Sequence, residues 1–151
     1  MITAIIIDDE QNAREFLQKL LFRYFPNKLT VLEICDSVAT GVEAIKRLNP
    51  SLVFLDIQMP SENGFALFKH FNKVSFDVIF TTAHKDYAID AIKHAAFDYL
   101  LKPINYVDLL STIKRFEEND KIQHQNERIS ELLEHIGSDS SSFNKIALPT
   151  H

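Results

Sequence analysis

The sequence predicts an open α/β fold, a doubly wound parallel sheet with helices on both faces. Three observations predict it. Five short apolar or β-branched runs alternate with five segments of helical periodicity along the chain. Two of the runs, AIII at residues 4–7 and LVFL at 52–55, are apolar at every successive position, so both faces of those strands need covering. Polar, chemistry-bearing residues stand at the ends of the runs, where open sheets of this class gather their functional groups.

The first run, residues 3–7, leads into a helical segment at 12–25 whose Phe16, Leu17, Leu20, Leu21 and Tyr24 recur on one face. The second run, 29–35, precedes a helix at 40–49 in which Val42, Ile45 and Leu48 repeat the pattern. The third run, 52–55, ends on Asp56. A loop with Met59, Pro60 and Gly64 follows, then a helical segment at 64–72. The fourth run is 77–81, with a helix at 87–94. The fifth is 97–101, with a helix at 106–118. Right-handed crossovers are expected between parallel neighbours.

Composition bounds the function. The 151 residues suggest one domain with some extra length, and the 46% hydrophobic and 25% charged content is that of an ordinary globular domain. The net charge of −5 argues against this piece gripping a phosphate backbone by itself. The single Cys35 excludes an internal disulfide framework and fits a reducing compartment. No stretch approaches the ~18 apolar residues of a membrane span. MITAIIIDDE lacks the basic start and cleavage site of a secretory signal, so a cytoplasmic location is expected. With only three glycines there is neither GxGxxG nor GxxxxGK[ST].

After about residue 117 the chain turns polar. Residues 119–136 read as a helical linker in which Ile122, Ile129 and Ile136 sit seven apart. That spacing is either a seam for a partner helix, with Gln125 at a core position, or a solvated extension. GSDSSS at 137–142 reads as a flexible linker. FNKIALPTH at 143–151 looks like the first strand of a further domain cut off.

The strand ends carry the chemistry. Run one ends in Asp8-Asp9-Glu10, run three in Asp56, run four in Thr81-Thr82-Ala83, and run five in Lys102-Pro103. Singly these have bland explanations: a helix cap for Asp8 or Asp9, a turn for Asp56, a cap for Thr82, a solvated lysine for Lys102. Jointly, four strand ends would have to place matching chemistry by chance. If strands one, three, four and five are neighbours, Asp8, Asp9 and Asp56 converge, and like carboxylates at close range raise each other's pKa. A hard divalent cation resolves the conflict, and Mg²⁺ favours a few carboxylates while keeping waters. Lys102 adds a point charge suited to a phosphate oxygen, and Thr82 a hydroxyl donor. The set matches the needs of phosphoryl transfer.

At these residues the sequence resembles the receiver domain of two-component response regulators. Asp8-Asp9, Asp56 with Met59-Pro60 and Gly64, Thr82-Ala83, and Lys102-Pro103 carry the resemblance over about residues 1–118. YAIDAIKHAAFDYLLKPI (87–104) and NKIALPT (144–150) are similar to the LytTR (AlgR/LytR-like) subgroup, in which a DNA-binding domain follows the receiver. The resemblance implies a CheY-like (flavodoxin-like) sheet of order 2-1-3-4-5, with the receiver at 1–118 and a truncated effector beyond 137. It also implies that Asp56 accepts a phosphoryl group from a sensor histidine kinase. Asp9, Asp56 and the backbone carbonyl of Gln58 would ligate Mg²⁺, with Asp8 acting mostly through water. Lys102 would pair with Asp56 before the reaction and with a phosphoryl oxygen after it. Thr82 and Tyr99 would form the switch, and Gln58 and His84 would flank the phosphate. The Lys102–Pro103 bond would be cis.

The surface expected to change is the fourth helix, fifth strand and fifth helix (the α4-β5-α5 face of the family). It would form a homodimer on activation, with DNA reached only through the missing domain and no membrane partner. The domain is then a phosphoacceptor rather than an enzyme. The rival enzyme, a Mg²⁺-dependent aspartyl-phosphate phosphatase of the haloacid dehalogenase type, needs a second Asp two residues after the nucleophile, where this chain has Gln58. A flavodoxin-like electron carrier needs a Ser/Thr/Gly-rich phosphate loop after strand one, and DDEQN is electrostatically wrong for it.

Overall fold

The structure, a computed structural model, describes residues 1–136. Five strands, β1 (Ile2–Ile7), β2 (Leu29–Cys35), β3 (Leu52–Asp56), β4 (Asp77–Thr82) and β5 (Asp98–Leu101), form one sheet in the order β2-β1-β3-β4-β5. Every neighbouring pair is parallel. The helices are α1 (Gln11–Tyr24), α2 (Val38–Leu48), α3 (Ala88–Lys93) and α4 (Tyr106–Ile136), with a 3₁₀ segment at Gly64–His70 and a 3₁₀ turn at Lys85–Tyr87. The chain divides into two compact units, Met1–Thr112 and Ile113–His151. The expected flexible linker and opening strand at 137–151 lie outside the described residues.

β1 and β3 are central, so their uninterrupted apolar runs are buried on both sides; every residue of β3 is buried. One side of the sheet packs Ile5, Ile7, Val53, Leu55 and Phe80 into a single cluster with Ala44 and Ile45 of α2 and Leu67 of the 3₁₀ segment. Local chemistry sets the helix starts. Ser37 and Thr40 form a reciprocal capping box on α2, which ends on Asn49 in the left-handed region at φ 50°. At the start of α4, Asn105 Oδ1 accepts from the Asp108 backbone N–H at 2.8 Å.

Two expectations change. The segment after the Met-Pro loop is 3₁₀, not α. Phe65, Phe68 and Phe71 stand three apart and all pack against the core, and a turn of three residues puts such a series on one stripe. Phe16 leaves the buried face of α1, at 47% exposure, while Leu17 and Leu21 carry the packing. The expected C-terminal helical extension at 119–136 is present, continuous with the fifth helix through Ile136. No helix among the described residues is long and apolar enough to cross a membrane.

Candidate functional site

β1 and β3 lie side by side with Ile7 opposite Leu55, so the residues that follow, Asp8 and Asp56, emerge at the same edge. Both are almost fully buried, each 4% exposed. Asp8 is anchored from the first turn of α1. Its Oδ1 accepts from the Glu10 N–H at 3.0 Å, and its carbonyl accepts from Arg14 Nη1 at 2.7 Å. Carboxylate oxygens of Asp8, Asp9 and Asp56 all lie within 4.8 Å of one another.

Lys102, at the end of β5, reaches across the strand tips. Its Nζ is 2.8 Å from Asp8 Oδ2 and 3.5 Å from Asp56 Oδ1. Asp8 is thus its nearer partner, where the resemblance implied Asp56. The Lys102 backbone N–H donates to the Thr82 carbonyl at 2.7 Å, continuing the β4–β5 pairing past the strands, and the Lys102–Pro103 bond is cis.

The electrostatics follow from the crowding. Burial first, then the charge of Asp8, push Asp56 up to about 7, against the opposing pull of Lys102. Burial works against the Lys102 ammonium, but its hydrogen bond to Asp8 and the charges of Asp56 and Asp8 outweigh this and hold its pKa above the ordinary value. Lys102 pairs with two of the three carboxylates, Asp8 and Asp56. Asp9 Oδ1 is buried and has no hydrogen-bond partner within the described residues. An orphaned, buried carboxylate oxygen beside two other carboxylates fits a hard divalent cation: the donor set is all oxygen and carries excess negative charge.

Gly64 closes the loop beneath Asp56. Its N–H donates to the Ile57 carbonyl at 2.8 Å, and a Cβ placed on it would stand 2.2 Å from the Asp56 backbone oxygen. The loop can fold back under the strand end only because this residue has no side chain.

The remaining predicted residues surround this centre. Thr82 is 1% exposed, and its hydroxyl is engaged within its own loop. It accepts from the His84 N–H at 3.1 Å and donates to the His84 carbonyl at 3.4 Å. Gln58 is exposed and its Nε2 donates to Tyr87 Oη at 3.0 Å. His84 is exposed, its ring edge-on to Tyr87 at 6.4 Å. Tyr99 is half-buried against the core and pairs in register with Phe80. The geometry therefore gathers Asp8, Asp9, Asp56 and Lys102 directly, and leaves Thr82, Gln58, His84 and Tyr99 with other partners.

Sequence reasoning missed three features. Tyr87 is the partner of Gln58, Arg14 braces the Asp8 backbone, and Gly64 is sterically required rather than simply a turn residue. Only the last had a signal, a glycine among just three in the chain. Beside the carboxylates an open groove of about 560 Å³ runs along Phe16, Leu17, Phe54, Pro103 and Ile104.

Comparison with known proteins gives a consistent result. A family model described as the response regulator receiver domain matches residues 4–114. An uncharacterized response regulatory protein of Yersinia pestis is 38% identical over 150 residues, covering 98% of this chain and 61% of its own length. The sensory transduction protein LytT of Bacillus anthracis is 31% identical over 152 residues, covering 99% of this chain and 59% of its own length. The chain thus spans about three fifths of these two relatives. In fold it is similar to the crystal structure of the response regulatory domain of protein mrkE from Klebsiella pneumoniae, with a TM-score of 0.70 at 24% identity, covering 78% of this chain and 97% of that one.

Proposed function

The chain belongs to the response regulator receiver domain family, and on that premise we propose that it is the phosphoacceptor of a two-component signalling system. The observation that carries the reading is the convergence of Asp8, Asp9 and Asp56, one carboxylate oxygen left unpartnered, with Lys102 bridging Asp8 and Asp56.

Asp56 is the nucleophile. A carboxylate oxygen attacks the phosphorus of a phosphohistidine on a sensor kinase. The P–O bond forms, the P–N bond breaks, and the imidazole departs with the kinase. Asp8, Asp9, Asp56 and the Gln58 backbone carbonyl would hold Mg²⁺, which when bound neutralises negative charge on the phosphoryl oxygens. Lys102 already sits between two carboxylates, so it gains a phosphoryl oxygen as a partner with a small displacement. Thr82 must first give up its bonds to the His84 backbone before its hydroxyl can donate to the new group. That exchange is the switch: the β4–α3 loop follows Thr82, and Tyr99 on β5 repacks with it.

The consequence is carried by α3, β5 and the start of α4, which correspond to the predicted fourth helix, fifth strand and fifth helix. This face would pair with a second copy and so control a LytTR-type DNA-binding output elsewhere in the protein, in the cytoplasm. Likeness to LytT supports that output. The carboxylate site acts as acceptor with at most slow self-hydrolysis, because Gln58 stands where a phosphatase of the haloacid dehalogenase type needs its acid.

Incubation with Mg²⁺ and acetyl phosphate should add the mass of one phosphoryl group to the wild-type chain and none to Asp56→Asn, with a shift toward dimer on sedimentation. Retained labelling of Asp56→Asn overturns the assignment of Asp56. Repeated turnover of p-nitrophenyl phosphate overturns the acceptor reading in favour of the phosphatase.

A further inference from the structure

α4 is 31 residues long. Helices of globular domains run to about 20 residues, and a longer one signals a membrane span or a coiled coil. The apolar content needed for a span is absent from it. Beyond Thr112 it belongs to the second compact unit, and there its exposed apolar residues fall in an ordered series. Ile122 is 41% exposed, Ile129 43% and Leu132 58%, and Gln125 is exposed as well. Position 136, also Ile, continues the seven-residue spacing. The steps 122, 125, 129, 132 and 136 alternate three and four, the a and d positions of a heptad repeat. Ile occupies a and Leu or Gln occupies d.

We infer that the 122–136 segment of α4 is a parallel, in-register coiled-coil seam whose occupant is the same segment of a second copy of this chain. Three features choose this occupant. β-branched Ile at a with Leu at d favours two strands. The flanks then decide the direction. Lys121 and Arg128 occupy the g positions, and Asn126 and Leu133 the e positions. In an antiparallel pair g faces g, so Lys121 and Arg128 confront the same cations of the other copy. In a parallel pair g faces e, and each cation meets a neutral or apolar residue along which its stem can lie. Gln125 decides the register. At a d position of a parallel, in-register pair its amide meets its own copy, donor to acceptor. Any shifted or antiparallel arrangement sets the amide against an apolar neighbour and leaves it unsatisfied.

The seam is short, so the pair it forms is weak and exchangeable. It does not depend on phosphorylation of Asp56, and it can be tested without a phosphodonor. In the phosphorylated protein it would add to any pairing of the receiver face, each contact raising the effective concentration for the other.

The test is disulfide trapping of the full chain under mild oxidation. Wild type is the control for background, because Cys35 is buried. Ile122→Cys should form a covalent dimer with itself at least about tenfold faster than Glu131→Cys, which points away from the seam, since helices held side by side reach millimolar effective concentration. Equal rates for the two overturn the proposal. A dimer from Ile129→Cys but not from Ile122→Cys shows helices crossing in opposite directions and overturns the parallel assignment. Gln125→Leu should tighten the sedimentation dimer about tenfold by completing the apolar d layer. Ile129→Glu should abolish it while leaving the thermal transition of the receiver in place. An unchanged dimer in Ile129→Glu also counts against the seam.

Discussion

At the scale of single residues, Gly64, Asp56 and Cys35 each make a measurable statement. A methyl group at Gly64 would overlap the Asp56 backbone oxygen at 2.2 Å, and a backbone atom cannot swing aside as a side chain can. Gly64→Ala should therefore cost roughly 1–3 kcal/mol in urea unfolding, the usual range for overpacking, and slow acetyl phosphate labelling by displacing Asp56. Asp56 is itself held at a cost in the ion-free protein, since burial and Asp8 raise its pKa to about 7. Asp56→Asn should stabilise the metal-free domain by roughly 1–2 kcal/mol, and Mg²⁺ should raise the melting temperature of the wild type more than that of the variant. Cys35 is pushed from 9.0 up to about 12, by burial first and then by Glu33, Asp36 and Glu43. A group whose pKa is raised by folding contributes stability at pH values below its unfolded pKa. That contribution is lost as pH rises toward the folded value. The unfolding free energy should accordingly fall between pH 9 and 12, and Cys35→Ala should flatten that part of the slope. At pH 8 the native thiol should resist a disulfide reagent that modifies the urea-unfolded chain.

At the scale of elements, short side-chain contacts decide where helices begin and which way they lie. α2 starts at Ser37 because its hydroxyl accepts from the Thr40 N–H at 3.1 Å while Thr40 Oγ1 accepts from the Ser37 N–H at 3.2 Å. Ser37→Ala should lower stability by about 1 kcal/mol, visible as a shifted urea midpoint without a change in slope. The 3₁₀ segment and the residue that follows α3 are joined by stacked rings: the His94 ring lies over Phe65 at 4.5 Å between centroids and near Phe68 at 5.7 Å. Tyr87, the last residue of the 3₁₀ turn just before α3, is tied to Gln58 in the loop after β3. The loop after Asp56 and the helix proposed to respond to it are thus linked by side chains as well as through the backbone.

At the scale of the whole fold, the strand order does the positioning, since placing β1 between β2 and β3 and adding β4 and β5 on one side brings the tips of four strands to one edge. Much of this was legible in the chain. Uninterrupted apolar runs mark central strands because both faces of such strands are covered, and all five strands were found to within a residue at either end. The strand-end residues Asp8, Asp9, Asp56 and Lys102 were legible for a similar reason: charge directly after an apolar run is costly unless it serves a site. The 3₁₀ form of the segment at Gly64–His70 was not, because a three-residue stripe of phenylalanines reads equally well as part of an α-helical face until the sheet it packs on is known. The sequence by itself determined the sheet, its polarity and the acidic character of its functional edge, since these follow from hydrophobic periodicity and from which residues end each run. Only the tertiary structure decided that Lys102 leans on Asp8 before Asp56, that Thr82 is occupied by the His84 backbone, and that Gln58 reaches Tyr87. The Lys102 and Gln58 pairings join residues far apart in the chain, which no local pattern encodes, and the Thr82 contacts depend on how the short loop after β4 is folded.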